Sequence, residues 1–92
     1  MAYGNVSVNG ATPVLVVPAN GKRQELRLIN YSTSPDVFLG MDTNVTTSNG
    51  WPLFAGSEQD ASRGMGSTYL GDVYAVNNGT GASDVRYWET LR

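Results

Sequence analysis

The acidic residues are the candidate catalytic groups of this chain, because paired carboxylates can catalyse hydrolysis. The sequence has eight Asp and Glu residues, no histidine and no cysteine. A glycosidase needs two carboxyl groups held about 5–9 Å apart in a cleft, whereas most of these acids stand beside turn-forming residues. Because a chain of 92 residues offers little room for a cleft, the sequence indicates that the protein is not an enzyme.

Nucleophilic and metal chemistry also lack the residues they need. Without histidine or cysteine, the chain lacks the commonest general base, the commonest metal ligand and any thiolate. Its many Ser and Thr residues have a single lysine, Lys22, as a partner base. Asp42-Thr43-Asn44 resembles the opening of a calcium loop, but the later glycine and bidentate glutamate are missing, which favours a simple turn. We therefore expect no catalytic residue, metal or cofactor.

Aromatic residues are the better indication of a binding role. The chain has two Trp, five Tyr and two Phe residues. Such side chains fill and rim a β-core, and this is the favoured interpretation. They also form protein interfaces and, less often, flat sugar-binding surfaces. The candidate interface residues are Tyr3, Trp51, Phe54, Arg63, Met65 and Trp88.

Short apolar segments separated by turn residues must position these side chains. Segments 24–30 and 36–40 flank a short proline-containing stretch, which predicts a central β-hairpin. The predicted strands are 5–9, 12–18, 24–30, 36–40, 72–77 and 83–89, with a further short strand in 41–47. Seven or eight strands at this spacing are typical of an all-β sandwich or barrel.

The chain is long enough for one domain, 1–92, with a thin core that oligomerisation would support. Residues 1–5 are predicted to be flexible, and 57–66 to form an exposed loop; both are candidate docking segments. The net charge of −2 and the single basic pair Lys22-Arg23 argue against nucleic-acid binding. No apolar run predicts a membrane span, and no signal peptide is visible, so synthesis in the cytoplasm is expected.

The pattern as a whole resembles a class of small phage-encoded virion proteins. The residues that carry the likeness are Leu26-x-Leu28-Ile29-Asn30, Val37-Phe38-Leu39-Gly40, Val45-Thr46-x-x-Asn49-Gly50-x-x-Leu53-x-x-Gly56, Val73-Tyr74-Ala75-Val76 and Val85-Arg86-Tyr87-Trp88-Glu89. The likeness extends from Asn5 to Glu89. It consists of packing and turn residues, so it carries no site over to this chain.

The resemblance implies an antiparallel β-sandwich of jelly-roll type and a structural role. The expected function is that of a capsid decoration (cement) protein on the virion surface, a homotrimer that binds the major capsid protein and stabilises the head lattice. Deleting residues 1–4 should then weaken capsid binding and leave the fold intact. The alternative is a head- or tail-fibre module that binds host carbohydrate or another virion protein. A β-structured interaction domain unrelated to phages also stays open.

Overall fold

Eight β-strands make up the fold in the computed structural model, which describes residues 2–33, 35–60, 69–79 and 81–92. The strands are β1 (Ala2–Val8), β2 (Val14–Val17), β3 (Arg23–Asn30), β4 (Val37–Gly40), β5 (Trp51–Leu53), β6 (Glu58–Asp60), β7 (Val73–Asn77) and β8 (Ser83–Leu91). No helix occurs in these ranges, and hence none that would cross a membrane. The predicted all-β class is confirmed.

The strands form two antiparallel sheets of four strands each. The order in the first, called the β1 sheet, is β1-β8-β3-β6, and in the second, the β2 sheet, it is β2-β7-β4-β5. β1 pairs with β8, β2 with β7, β3 with β6 and β4 with β5. Two further pairings, β3 with β8 and β4 with β7, complete the sheets. The first strand therefore pairs with the last, the second with the second to last, and so on. These strand pairs are nested around the connection between β4 and β5.

The two sheets share one hydrophobic core. Its buried members come from both sheets, namely Val8, Leu26, Leu28 and Val85 from the β1 sheet and Val16, Val17, Val37, Leu39, Leu53, Val73 and Ala75 from the β2 sheet. Alternate residues of each strand point to the same side, so Leu26 and Leu28 both face the core. Full burial of each such aliphatic side chain contributes about 1.5–3 kcal/mol. The apolar residues that alternate along the strands thus form the core that holds the two sheets together.

A buried arginine ties together the loops at one end of the sheets. Arg23 is 1% exposed, and its Nε donates to Glu89 Oε2 at 2.6 Å. Nη1 donates to the carbonyl oxygens of Tyr69 (2.7 Å) and Gly71 (3.1 Å), and Nη2 donates to that of Pro18 (2.7 Å). A planar guanidinium suits several acceptors at once. It therefore holds the ends of β2 and β8 and the start of β7 in one place.

A buried amide does the same at the other end. Asn77 Nδ2 lies within donor distance of Val8 O (2.7 Å), Gly81 O (2.9 Å) and Ser83 Oγ (3.2 Å). Its Oδ1 accepts from the backbone N–H groups of Gly10 (2.6 Å) and Gly79 (2.8 Å). Because buried polar groups need partners, this side chain specifies the turns after β1 and β7.

The predicted central hairpin is wrong. Segments 24–30 and 36–40 do form strands, but β3 belongs to the β1 sheet and β4 to the β2 sheet. The edges of β3 are occupied by β8 and β6. The two segments instead contribute Leu28 and Val37 to the core between the sheets. A short link between apolar strands therefore crosses between sheets here.

Three further predictions are corrected by the strand assignments. Residues 2–5, expected to be flexible, belong to β1, where they lie in register with 86–89 of β8. Residues 58–60 of the predicted loop 57–66 form β6 beside β3, and 61–66 lie outside the described residues. Segment 41–47 forms turns rather than a strand. In the first two cases a neighbouring strand supplies backbone partners that local sequence does not reveal.

Candidate binding surface

The outer side of the β1 sheet carries a pair of stacked aromatic rings. Tyr3 on β1 is in register with Trp88 on β8. Their ring centroids are 6.0 Å apart with an interplanar angle of 20°. Tyr3 is 75% exposed and Trp88 46% exposed. Aromatic rings of this size are normally buried or used for binding, so the pair marks this face as a candidate interaction surface.

Two rows of residues, polar or charged except for Ile29, lie on the sheet around the ring pair. The first row continues from Trp88 to Arg27 on β3. The second row runs across the sheet beside it and consists of Asn5, Arg86, Ile29 and Glu58. We call the set Tyr3, Asn5, Arg27, Ile29, Arg86 and Trp88 the open face. Trp, Tyr and Arg are the residue types that most often dominate binding energy at interfaces.

The guanidinium of Arg86 is held in a fixed place on this face. Its Nε and Nη2 donate to Asp84 Oδ2 at 3.1 and 3.0 Å. Its Cζ lies 4.3 Å from the centroid of the Tyr31 ring, a cation–π contact. The hydrogen bond to Asp84 raises the pKa of Arg86 above its ordinary value. Arg86 is therefore a charged, oriented donor throughout the physiological range.

A shallow depression of about 240 Å³ lies on the open face, with Tyr3, Arg27, Arg86 and Trp88 among its lining residues. Sites for small molecules are usually enclosed and span about 300–1,000 Å³. The shape suits a flat or extended partner better than an enclosed small molecule.

A second apolar patch adjoins the open face around β5. Met41, Trp51 and Phe54 are 64%, 62% and 57% exposed. We call these three residues and Pro52 the β5 patch. A depression of about 450 Å³, lined by Trp51, Pro52 and Phe54, reaches Glu58, and Glu58 also lines the depression on the open face. The two patches therefore meet at Glu58.

The outer side of the β2 sheet is different, because the chain covers part of it. Segment 41–50 folds back so that Val45, 5% exposed, packs on Gly40 of β4. A Cβ built on Gly50 would lie 2.7 Å from the Phe38 Cβ, so this backbone also packs closely. Val76 on β7 is fully buried although it is in register with Phe38 and lies outside the main core cluster. The exposed aromatic surface is thus concentrated on the β1 sheet and at β5.

The candidate residues named from the sequence separate into three groups. Tyr3 and Trp88 lie together on the open face, and Trp51 and Phe54 lie together in the β5 patch. Arg63 and Met65 lie outside the described residues. Sequence reasoning missed Arg27 and Arg86. The alternation within 24–30 and 83–89 gave a signal, since it set Arg27 with Ile29 and Arg86 with Trp88, but it did not show that these strands are neighbours.

In the part of the chain that the structure describes, no three His, Cys, Asp or Glu side chains are grouped so that they could hold a metal ion. Asp42 Oδ1 accepts the backbone N–H of Asn44 at 2.9 Å, as in a turn closed by its own side chain.

Comparison with known proteins adds no relative. No protein-family model, curated protein or solved structure matches the chain.

Proposed function

We propose that the chain is a structural virion protein, a capsid decoration protein that binds the phage head lattice through the open face and the adjoining β5 patch. The observation that carries this proposal is the exposure of Tyr3, Trp88, Trp51 and Phe54 on two patches that meet at Glu58. Contiguous exposed apolar surface of this kind marks interaction sites in small soluble domains. The resemblance of the chain from Asn5 to Glu89 to phage virion proteins supplies the kind of partner.

The strand pairing supports a jelly-roll sandwich as the fold of this module. Pairing β1 with β8, β2 with β7, β3 with β6 and β4 with β5 is what results when a long hairpin is rolled up into two facing sheets. Jelly rolls have eight strands in two sheets and occur in viral capsid proteins. This supports the virion role by analogy of fold alone. Interstrand contacts measured by NMR across the β3–β8 and β4–β7 pairs test the arrangement.

Binding to capsids tests the role directly. Labelled protein is sedimented with purified capsids assembled from the major capsid protein of the virus that encodes the chain. Trp88→Ala and Trp51→Ala each remove one exposed ring, and Thr47→Ala changes an exposed residue of segment 41–50 as the control. Loss of a central aromatic at an interface weakens affinity at least roughly tenfold. Capsid binding that is absent, or equal in all three variants, contradicts the proposal.

A host carbohydrate is the second candidate partner, and the geometry of Tyr3 and Trp88 favours it. The stacked rings leave apolar ring surface exposed, with Arg27, Arg86 and Asn5 beside it as hydrogen-bonding groups. Flat sugar rings stack on such surfaces while their hydroxyls bind the polar neighbours. Tryptophan fluorescence of wild type and Trp51→Phe, titrated with cell-wall polysaccharide of the host, tests this. Saturable quenching that Trp88→Phe abolishes supports a fibre module.

A further inference from the structure

The four strands at the edges of the two sheets are not equally protected. An edge strand presents unpaired N–H and C=O groups, and natural proteins protect such edges with short strands, charges, prolines or bulges. β6 has three residues and two of them are acidic. β5 contains Pro52, and β2 lies between Pro13 and Pro18 with a register shift after Leu15. Each of these three edge strands thus has a feature that disfavours pairing with a further strand.

β1 is the exception among these edges. It has seven residues, Ala2–Val8, with no proline and no charged side chain. Its register with β8 runs without a shift from Ala2 to Val8. It is therefore long, regular and neutral, which are the properties that allow another strand to add to it.

We propose that β1 pairs in antiparallel fashion with β1 of a second copy of the chain, about a twofold axis that passes through Asn5. Asn5 is the middle residue of Ala2–Val8, so this register uses the whole strand. Tyr3 then faces Ser7 of the second copy, and both are exposed on the outer side of the sheet. The same patch contacts itself, as in most protein dimers.

The absence of charged side chains from β1 suits pairing with a second copy. Like charges directly opposite each other destabilise a strand pair, and the twofold axis places residue 5 opposite the same residue of the second copy. Asn5 is neutral, and the other residues of β1 also carry no charged side chain. The pairing joins two β1 sheets into one of eight strands and places two open faces side by side. Two linked faces bind a repeating lattice more tightly than one, although the pairing itself does not depend on the proposed function.

The proposal differs from the homotrimer that the resemblance to phage virion proteins implies, and the mass in solution separates the two. Sedimentation equilibrium of the full chain should give twice the 9.9 kDa of a single chain. Asn5→Lys places lysines opposite each other at the axis and should reduce the mass to that of one chain. Asn5→Gln, the matched control, should keep the dimer. Circular dichroism and thermal unfolding of each variant report whether the fold is retained.

A cysteine at the axis gives an independent readout if Asn5→Lys fails to fold. The chain has no cysteine, so Asn5→Cys introduces the single thiol. Facing residues of an antiparallel pair lie about 4.5–5.5 Å apart at Cα, within the range that a disulfide bridges. Mild oxidation should therefore link most of this variant into dimers, whereas Thr47→Cys on the exposed segment 41–50 should stay largely unlinked.

Each outcome decides the proposal. A dimer that Asn5→Lys dissociates, or that Asn5→Cys traps, supports it. A single-chain mass at every concentration, a trimer, or equal linking of Asn5→Cys and Thr47→Cys overturns it. A protein of single-chain mass that still binds capsids contradicts only the β1 pairing. A dimer that does not bind capsids contradicts only the decoration role.

Discussion

The guanidinium of Arg23 and the carboxylate of Glu89 form an ion pair inside the protein, with Nε 2.6 Å from Oε2. The two side chains are 0% and 6% exposed. Removing one partner of such a pair leaves a buried charge without compensation, which costs about 3–5 kcal/mol. We therefore expect Glu89→Gln to lower the free energy of unfolding by this amount, measured by urea denaturation.

The control for that prediction is the exposed pair between Arg86 and Asp84, whose side chains are 50% and 34% exposed. Solvent screens such pairs. Asp84→Asn should therefore have a much smaller effect than Glu89→Gln. Equal losses for the two variants would mean that the contacts of Arg23 with Pro18, Tyr69 and Gly71 hold the site without the carboxylate.

Gly40 is required by the packing of Val45 on its backbone. A Cβ at position 40 would lie 2.7 Å from the Val45 Cγ2, too close for the two atoms to coexist without movement. Overpacking of this kind typically costs 1–3 kcal/mol, so Gly40→Ala should lower the free energy of unfolding by about that much. Gly21→Ala is the comparison, because nothing lies within 4 Å of its Cβ. That variant should be neutral or slightly more stable, since it restricts the unfolded chain.

The amide of Asn77 should not be replaceable by a carboxylate of the same shape. Its Nδ2 donates to carbonyl oxygens that include Val8 O at 2.7 Å, and a carboxylate there would face them as a second acceptor. Asn77→Asp should therefore lower the free energy of unfolding by roughly 3 kcal/mol at pH 7. The effect should fall on acidification, because repulsion and burial raise the pKa of the introduced group in the folded state.

Equilibrium unfolding of Asn77→Asp at pH 7 and pH 4.5 measures this change. Asn9→Asp, exposed in the turn after β1, provides the matched control. If the two variants lose the same stability at both pH values, Asn77 does not act as a donor.

The hydroxyl of Tyr69 gives the wild-type protein an alkaline dependence of stability. Burial, and next the charge of Asp72, raise the pKa of Tyr69 above the ordinary value of 10.0. The hydroxyl also donates to the Asp72 carbonyl oxygen at 2.7 Å. A group whose pKa is raised on folding contributes its full stabilisation below the unfolded pKa and loses it as the pH rises.

We therefore expect the stability difference between wild type and Tyr69→Phe to narrow as the pH rises above about 10. Urea denaturation of both proteins at a series of alkaline pH values measures it. A constant difference would show that the hydroxyl titrates alike in the folded and unfolded chains.

Local pattern predicted much of the strand content, because alternation of apolar residues is a local property. Segments 24–30, 72–77 and 83–89 lie within one or two residues of β3, β7 and β8. Pairing was not predictable in the same way. The partner of β1 is β8, at the other end of the chain. The local sequence of residues 2–8 does not indicate which strand will pair with it.

The buried polar residues were missed for the same reason. Lys22-Arg23 resembles an exposed basic pair, yet three of the four acceptors of Arg23 belong to Tyr69, Gly71 and Glu89, which are distant in the chain. The open face shows the same limit. The sequence indicated that Arg86 and Trp88 share a side of their strand, but only the β1–β8–β3 order places Tyr3 and Arg27 beside them.

The nested pairing also constrains the order in which the chain can close during folding. Among the strands that pair within a sheet, only β4 and β5 are consecutive in the chain, and the connection 41–50 that joins them is short enough to close early. Once they pair, the ends of β3 and β6 are brought near each other, and the same holds in turn for β2 with β7 and β1 with β8. Loop-closure entropy therefore favours propagation outward from residues 41–50. Topologies dominated by such distant pairings fold in milliseconds to seconds, and this order predicts that β1 joins last.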